Sequence, residues 1–242
     1  MLRISIIVPA FNESAILAGS LASIRDAATA FDAAGLSWEL IVCDNNSSDG
    51  TAEIARDAGA VVVFEPINQI SRARNAGAAA ATGEWLVFVD ADSQPPLELF
   101  ADVAREIRRG DVLAGGSTVA IDHPALMVRA TVQWWNAISR MTRWAAGSFI
   151  FCRSEALRAV GGFSLQLFAA EEIDLFRRLK RLARSRGLAI RILADHPLVT
   201  SARKAHLYSA QEFLMFQLKT VLTAGRTLRS ADECGLWYDG RR

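Results

Sequence analysis

Short apolar runs alternate with segments of helical periodicity over the first 110 residues, and this alternation restricts the possible folds more than any other feature. The runs occupy residues 4–8, 40–43, 61–64 and 85–89, and they are followed by helical segments at 14–33, 51–58, 71–81 and 96–109. Runs that are apolar throughout are typical of strands covered on both faces of a sheet. The repeated strand and helix units therefore predict an α/β fold with a mostly parallel sheet flanked by helices.

The second half of the chain is less regular. Residues 112–119, 148–152, 190–193 and 198–200 have the composition of strands, whereas 171–186 and 209–224 have helical periodicity. No linker or internal repeat separates the two halves. We predict one continuous domain, in which residues 1–110 form a regular scaffold and residues 111–242 form its elaboration.

Two helix starts can be placed from the residues that favour them. Ser71 has the side chain of an N-cap and is expected to cap the third helix. Pro95 and Pro96 are expected to open the fourth helix, where a missing N–H group costs little.

Composition excludes several classes of protein. The 27 Lys and Arg residues nearly balance 26 Asp and Glu, so no nucleic-acid partner is expected. The three cysteines are widely spaced and form no CxxC pair, which argues against a disulfide framework and against a zinc site. The first nine residues are interpreted as a strand and not as a secretory signal. The same cysteine usage favours a reducing compartment, so a cytoplasmic location is expected. No apolar stretch reaches the roughly 18 residues of a spanning helix, so any membrane contact is expected to be peripheral.

Acidic residues follow three of the predicted strands. Glu13 comes shortly after the first strand, Asp44 directly after the second, and Asp90 and Asp92 after the fourth. Ligands of open parallel sheets bind beyond the carboxyl ends of the strands, so these carboxylates are expected to converge. Clustered carboxylates repel one another unless a divalent cation or ligand hydroxyls compensate them. The alternative for Asp90 and Asp92 is a pair that ends a strand and caps the next helix.

Two further pairs of residues each allow two interpretations. Asp49 is assigned mainly to the turn that leads into the second helix, whereas Asp44 is better placed to accept hydrogen bonds from a base or ribose. Arg72 and Arg74 lie in the first turn of a helix, where the macrodipole disfavours cations. Their guanidinium groups suit a phosphate or the edge of a base, and solvated arginines on a helix face are the alternative.

Four segments resemble the family 2 glycosyltransferases, which have a GT-A fold. They are residues 5–13 (SIIVPAFNE), 42–51 (VCDNNSSDGT), 73–77 (ARNAG) and 88–92 (FVDAD), and they occur in the family's order. The combination is far more specific than any one motif. The resemblance implies a nucleotide-sugar-binding half over residues 1–110 and an acceptor-binding half with a C-terminal helix over residues 111–242.

The resemblance also implies roles for particular residues. The nucleotide sugar would be bound by Pro9, Phe11, Glu13, Asp44, Arg72, Arg74 and Asp90. Asp90 and Asp92 would be the DxD pair that holds Mn²⁺ or Mg²⁺, with Asp92 as the direct ligand. His206 is a further candidate ligand, because some GT-A enzymes resemble this chain in using a late histidine; a surface histidine is the alternative.

The acceptor side carries a departure from the family pattern. Gly161, Gly162 and Glu171 match the family's acceptor segment, but Glu172 stands where the general base is usually Asp. A Glu can remove the acceptor proton with one more methylene of reach. The alternative for Glu172 is a favourable acid in the first turn of a helix.

The resemblance therefore predicts an enzyme that moves a sugar from a nucleoside-diphosphate sugar to an acceptor hydroxyl, with inversion and a metal ion. A non-catalytic nucleotide-sugar-binding protein is the main alternative, because Glu172 is atypical. A Rossmann oxidoreductase would need glycines that are missing after Val8. A phosphatase with Asp90 as nucleophile would leave Asp44 without a role.

An aromatic and basic stripe at residues 134–144 bears on the acceptor. It includes Trp134, Trp135, Met141 and Trp144 beside Arg140 and Arg143. A lipid surface or a lipid-linked acceptor would suit it, which would place the protein peripherally at the inner face of the membrane. Packing into the core is the preferred interpretation, because large aromatic side chains are usually buried. A glycan acceptor remains an equal alternative to a lipid-linked one.

Overall fold

The computed structural model describes residues 2–121 and 126–200. Its strands are β1 (Arg3–Ala10), β2 (Ser37–Asp44), β3 (Val61–Phe64), β4 (Trp85–Val89), β5 (Ser93–Gln94), β6 (Val112–Ile121), β7 (Phe149–Arg153) and β8 (Ala189–Thr200). Its helices are α1 (Leu17–Ala33), α2 (Thr51–Asp57), α3 (Ile70–Ala80), α4 (Leu97–Arg109), α5 (Leu126–Thr142), α6 (Ser154–Ala159) and α7 (Glu171–Arg186). His206 and the helix expected at 209–224 lie outside the described residues.

The strands of the described part form one sheet in the order β3-β2-β1-β4-β7-β6-β8-β5. β3, β2, β1 and β4 pair in parallel, and β6 pairs with β8 in parallel, which confirms the mostly parallel sheet. β7 runs antiparallel to both of its neighbours, β4 and β6. The two short strands expected at 190–193 and 198–200 are one strand, β8, which stays paired with β6 across a register shift between Ser117 and Val119.

Two clusters of apolar side chains cover the two faces of the sheet. Successive residues of β1 contribute to opposite clusters: Ile6 belongs to one cluster and Ile7 to the other. β4 is buried along its whole length, as its uniformly apolar sequence predicts. β3 is the exception because it lies at the edge of the sheet, where Val61 and Phe64 are exposed.

Helix α3 lies very close to the sheet. A Cβ atom at Gly77 would come within 2.5 Å of the Ile7 Cγ2 atom on β1, so only glycine permits this contact. The expected cap is wrong, because α3 begins after Gln69 and Ser71 is a fully buried residue inside the helix. Tertiary packing determines the start of α3, whereas α4 begins after Pro96 as expected.

Candidate active site

The carboxyl ends of β2, β1 and β4 lie side by side at one edge of the sheet. Ala10, the last residue of β1, is the register partner of Asp44. On the other side of β1, Ile7 pairs with Phe88, so Asp90 follows β4 at the same edge. The three acidic strand ends that are distant in sequence therefore converge, with β1 between Asp44 and Asp90.

The loop after β1 is bound to the loop after β2 through side chains. The Asn12 N–H group donates to Ser47 Oγ at 2.9 Å, and Asn12 Oδ1 accepts from the Ser48 N–H group at 2.8 Å. The Glu13 N–H group donates to Thr51 Oγ1 at 2.9 Å. These bonds hold the two loops as one wall of the site and leave Glu13 buried.

Asp49 belongs to the turn, as the sequence indicated. It accepts hydrogen bonds from the N–H groups of Ser14 and Thr51 and from the Thr51 hydroxyl. Burial alone would raise the pKa of Asp49, but the hydrogen bonds from Thr51 and Ser14 lower it to about 2. Asp44 is buried at the strand end, where one of its oxygens accepts from the Ser47 N–H group at 2.9 Å.

Arg74 occupies the centre of the site, where it joins residues from both halves of the chain. Its Nη1 atom donates to Glu171 Oε1 at 2.6 Å. Its Nη2 atom donates to Asp90 Oδ1 at 2.9 Å and to the Gly147 carbonyl at 2.8 Å. The guanidinium also lies 5.3 Å from the centroid of the Phe163 ring. The side chain is only 2% exposed, so these charge-assisted bonds are formed away from water.

The environment of Arg74 excludes one of the two sequence-based interpretations. The alternative of a solvated arginine is wrong, because the residue is buried. Both terminal nitrogens donate to protein acceptors, so Arg74 holds carboxylates in place. Burial would lower the pKa of Arg74, but the charges of Asp90, Glu171 and Glu172 raise it, so the guanidinium stays charged. Arg72, in the same turn of α3, is half-buried.

Glu172 lies beside Arg74 in the first turn of α7. A Cβ atom built on Gly147 would come 3.4 Å from Arg74 Nη2 and 3.7 Å from the Glu172 carboxyl carbon, so both groups border Gly147. Burial and the charge of Glu171 raise the pKa of Glu172 to about 8, against the opposing effect of Arg74. Neighbouring Glu171 is buried in its ion pair with Arg74, so the two adjacent acids have different environments.

The segment around Gly161 and Gly162, which leads toward α7, is held by the side chains of two polar residues. Asn75 donates to the Phe163 carbonyl and accepts from the Phe163 N–H group, both at 2.9 Å. Arg178 donates to the carbonyls of Val160 and Gly162 at 2.6 and 2.7 Å. Gly161 and Gly162 thus lie between α3 and α7, in line with the expected acceptor segment.

Buried amide side chains complete the link between the two halves, and no sequence motif predicts them. Gln69 donates to the carbonyls of Leu165 and Leu167 at 3.1 and 2.9 Å. The Gln69 N–H group donates to Asn45 Oδ1 at 2.8 Å. Isolated Asn, Gln and Gly residues are common in loops, so no local pattern distinguishes Asn45, Gln69 and Gly147.

We expect Gly162→Ala to destabilise the protein more than Gly161→Ala. Both glycines have positive φ, 72° and 79°, so alanine would add about 1–3 kcal/mol of backbone strain at either position. Only at Gly162 would the new Cβ atom also approach Asn75 Oδ1, at 2.6 Å, whereas Gly161 has open space. Urea denaturation of the two variants measures the difference. Equal midpoints would contradict the importance of the Asn75 contact.

The stripe at 134–144 divides between core and surface. Trp135 packs against one apolar cluster and Trp144 against the other, as the preferred interpretation requires. Trp134 and Met141 are 65% and 81% exposed, which the packing interpretation does not explain.

The predicted site residues of the described part lie at the ends of β1 and β2, in the loops after β1 and β4, in the first half of α3, and in the segment that leads into the first turn of α7. These are Pro9, Phe11, Glu13, Asp44, Arg72, Arg74, Asp90, Asp92, Gly161, Gly162, Glu171 and Glu172. His206 cannot be placed, because it lies outside the described residues. Within the described ranges, no group of three or more His, Cys, Asp or Glu side chains could hold a metal ion alone.

Comparison with known proteins identifies the family. A family model described as glycosyl transferase family 2 matches residues 5–158, which is more than half of the 242 residues. The chain belongs to glycosyl transferase family 2. The match includes all four of the motifs at 5–13, 42–51, 73–77 and 88–92.

Curated relatives and solved structures are consistent with this family 2 assignment. The glycosyltransferase AglE of Haloferax volcanii is 26% identical over 207 residues, which cover 80% of this chain and 66% of the relative. The mannosyltransferase PcManGT of Pyrobaculum calidifontis, solved with GDP-Man and Mn²⁺, has a TM-score of 0.61 at 22% identity, covering 81% of this chain and 56% of that one.

A second solved structure extends the comparison to most of this family 2 chain. Glucosyl-3-phosphoglycerate synthase of Mycobacterium tuberculosis, solved with Mn²⁺, UDP and phosphoglyceric acid, has a TM-score of 0.62 at 21% identity. The match covers 91% of this chain and 76% of that one. These structural likenesses show that the fold is GT-A. The chain spans between 26% and 66% of the length of the first curated relatives that it matches.

The helices of the described part were also compared with the length and hydropathy needed to cross a membrane. Within residues 2–121 and 126–200, no helix of this family 2 chain is both long and apolar enough to do so.

Proposed function

We propose that this protein transfers a glycosyl group from a nucleoside-diphosphate sugar to an acceptor hydroxyl, with inversion at the anomeric carbon. One observation carries the proposal: buried Arg74 binds both Asp90, at the donor end of the sheet, and Glu171, next to the candidate base Glu172. A donor site and a base are thereby held at a fixed separation, which is what transfer between two substrates requires.

The donor would occupy the edge where β1, β2 and β4 end. Asp44 is buried there, with a carboxylate suited to accept hydrogen bonds from a base or ribose. Pro9, Phe11 and Glu13 form the adjacent wall, which is held to the β2 loop by the bonds of Asn12 and Glu13. The pocket is therefore pre-formed by protein contacts, and this lowers the cost of ordering it on binding.

The described residues fit a divalent metal that is shared with the donor. Asp90 and Asp92 follow β4, and one Asp90 oxygen is already bound by Arg74. A pair of carboxylates that leaves the remaining coordination positions to phosphate oxygens and water suits Mg²⁺ or Mn²⁺. When bound, the metal would supply stabilisation of the negative charge on the departing diphosphate. We propose Asp92 as its principal ligand, with Asp90 beside it.

Glu172 would act as the general base. As the acceptor oxygen forms a bond to the anomeric carbon, the bond to the diphosphate oxygen breaks and Glu172 takes the acceptor proton. The electron pair of the broken bond leaves with the nucleoside diphosphate. Glu171 cannot take this role, because it is buried in the ion pair with Arg74.

The proposal predicts an acid limb in the pH profile of kcat/KM that is displaced toward higher pH. Glu172 must be ionised to accept a proton, and its pKa is raised to about 8 by burial and by Glu171. Activity should therefore increase through this range as the pH rises. We expect Glu172→Gln to lose about 10²–10⁴-fold in kcat and to lose this limb. Initial rates measured from pH 6 to pH 9 in the wild type and in Glu172→Gln test this pH dependence.

Thermal unfolding gives a second readout for the same variant. A carboxyl group whose pKa is raised by folding disfavours the folded state once the pH exceeds its ordinary pKa. Glu172→Gln should therefore be more stable than the wild type at high pH, and the difference should shrink at low pH. Glu155→Gln, at an exposed position on α6, serves as the control.

Unchanged turnover of Glu172→Gln would remove Glu172 from the role of base.

A thermal-shift panel tests the proposed donor class and metal together. Stabilisation by one nucleoside diphosphate, increased by Mn²⁺, is expected from a site that binds both. Incubation with UDP-, GDP- and dTDP-sugars then tests turnover. Binding of a nucleotide sugar with no release of nucleoside diphosphate in the presence of acceptors would favour the non-catalytic alternative.

The acceptor is proposed to be lipid-linked or a glycan. The segment before α7 presents an apolar surface at the site, with Leu165 exposed and Leu167 and Phe168 half-buried. Gln69 holds the backbone of this segment through the carbonyls of Leu165 and Leu167. An acceptor with an apolar portion would bury this surface.

A further inference from the structure

Helix α7 carries six cations and no acid beyond its acidic first turn. They are Arg177, Arg178, Lys180, Arg181, Arg184 and Arg186. Arg178 pairs with Asp174 and Arg186 with Glu155. The other four form no ion pair with any residue of 2–121 or 126–200. Because the chain as a whole is nearly neutral, this is a local concentration of uncompensated positive charge.

Two of these cations, Arg177 and Lys180, contact residues at and just after the end of α5. The Arg177 Cζ and Lys180 Nζ atoms each lie 5.4 Å from the centroid of the Trp144 ring. Lys180 also donates to the Thr142 carbonyl. Arg184 follows Lys180 by one turn of α7, and Arg143 directly precedes Trp144. Burial and the charges of Arg143, Arg184 and Arg177 lower the pKa of Lys180. We refer to Arg143, Arg177, Lys180 and Arg184 as the cationic patch.

Exposed apolar side chains continue the cationic patch along α5. Met141 precedes Thr142 and is 81% exposed, and Trp134 is 65% exposed. They are seven positions apart in the sequence, so they lie on the same face of the helix, about 10 Å apart. Arg140 is exposed beside them. A tryptophan and a methionine among cations on one surface have the composition of a helix that lies in a membrane interface.

We propose that the cationic patch, with Met141 and Trp134, docks on the surface of an anionic phospholipid bilayer. The positive charge complements the headgroups, and the apolar side chains can enter the interface between them. Residues 201–242 carry seven Lys and Arg against four Asp and Glu, so they offer no excess of negative charge to complement the cationic patch.

The location of the surface relative to the candidate site has a consequence for the acceptor. Glu172 and Arg177 lie on the same helix within two turns, and Gly147 follows Trp144 by three residues. A bilayer on the cationic patch would therefore lie near the proposed base. The docking proposal does not depend on the proposed function, since it is tested by binding alone.

Sedimentation with vesicles tests the docking proposal. The full chain should bind vesicles of phosphatidylcholine mixed with phosphatidylglycerol, and binding should decrease with salt. The triple variant R177Q/K180Q/R184Q should bind about a hundredfold more weakly. The control R56Q/R105Q/R109Q changes the charge equally at exposed arginines elsewhere and should bind like the wild type. Met141→Ser should lose about fivefold, because the apolar contribution is smaller.

Three results would overturn the docking proposal. One is equal binding to vesicles of phosphatidylcholine alone. Another is equal loss in the two triple variants, which would reflect net charge only. The third is tighter binding to an RNA oligonucleotide than to the mixed vesicles, lost in R177Q/K180Q/R184Q. If Lys180→Gln disturbs folding, detected by circular dichroism, the double variant R177Q/R184Q leaves the Trp144 and Thr142 contacts of Lys180 intact and gives the same comparison.

Discussion

Replacing Asp92 with alanine is expected to abolish sugar transfer and to remove the effect of Mn²⁺ on nucleotide binding. Asp90 and Asp92 are the carboxylates that follow β4, and Asp90 already gives one oxygen to Arg74. Loss of Asp92 would leave a single, partly engaged carboxylate, which is too few protein oxygens to hold a cation against a diphosphate. Calorimetric titration with a nucleoside diphosphate, with and without Mn²⁺, measures the binding part of this prediction.

The control for Asp92 is Asp57→Ala, since Asp57 is an exposed acid at the end of α2 and away from the strand ends. It should retain both turnover and the Mn²⁺ effect. Wild-type turnover in Asp92→Ala would contradict the proposed metal site. A variant that binds nucleotide normally with Mn²⁺ but does not turn over would instead assign Asp92 to the sugar.

Replacing Arg74 with methionine is expected to destabilise the fold by about 3–5 kcal/mol as well as to abolish transfer. Methionine replaces only the aliphatic part of the side chain, so it leaves the buried carboxylate of Glu171 without its cation and removes the bonds to Asp90 and to the Gly147 carbonyl. An uncompensated buried charge is among the most destabilising results of a single substitution. Chemical denaturation at neutral pH measures this loss.

Two companion variants make the Arg74 prediction specific. Arg72→Met, at a half-buried position in the same turn of α3, should lose less than about 1 kcal/mol, as surface substitutions usually do. Arg74→Lys keeps the charge but lacks the planar guanidinium group that donates from two nitrogens. It should therefore be more stable than Arg74→Met and still be impaired in transfer. If Arg74→Met were as stable as the wild type, the ion pairs with Asp90 and Glu171 would not hold the site together.

The sequence was sufficient to predict the sheet and the edge where the acids meet. Uniformly apolar runs placed β1 to β4 well, because strands buried on both faces have few alternatives at that composition. The positions of Asp44 and Asp90 followed from the strand ends. The antiparallel direction of β7 could not be predicted, since nothing in its five residues, Phe149–Arg153, indicates direction.

The interior of the site was less accessible from the sequence because its contacts connect distant residues. Arg74 and Glu171 are 97 positions apart, and Gln69 reaches a carbonyl 98 positions away. Local patterns describe the first turn of α3 as a place where cations are disfavoured. They do not show that Arg74 is compensated there by acids from other elements, or that Glu171 and Glu172, adjacent in sequence, differ in environment.

Helix α3 has an implication for protein engineering. Gln69, which precedes the helix, and Arg74 and Asn75, which belong to it, bind the segment from Phe163 to Glu171 through their side chains. A chimaera that imports this segment from a homologue, as a test of the proposed acceptor role, would separate it from these partners. Such a graft should succeed only when the homologue's residues at positions 69, 74 and 75 are transplanted with it.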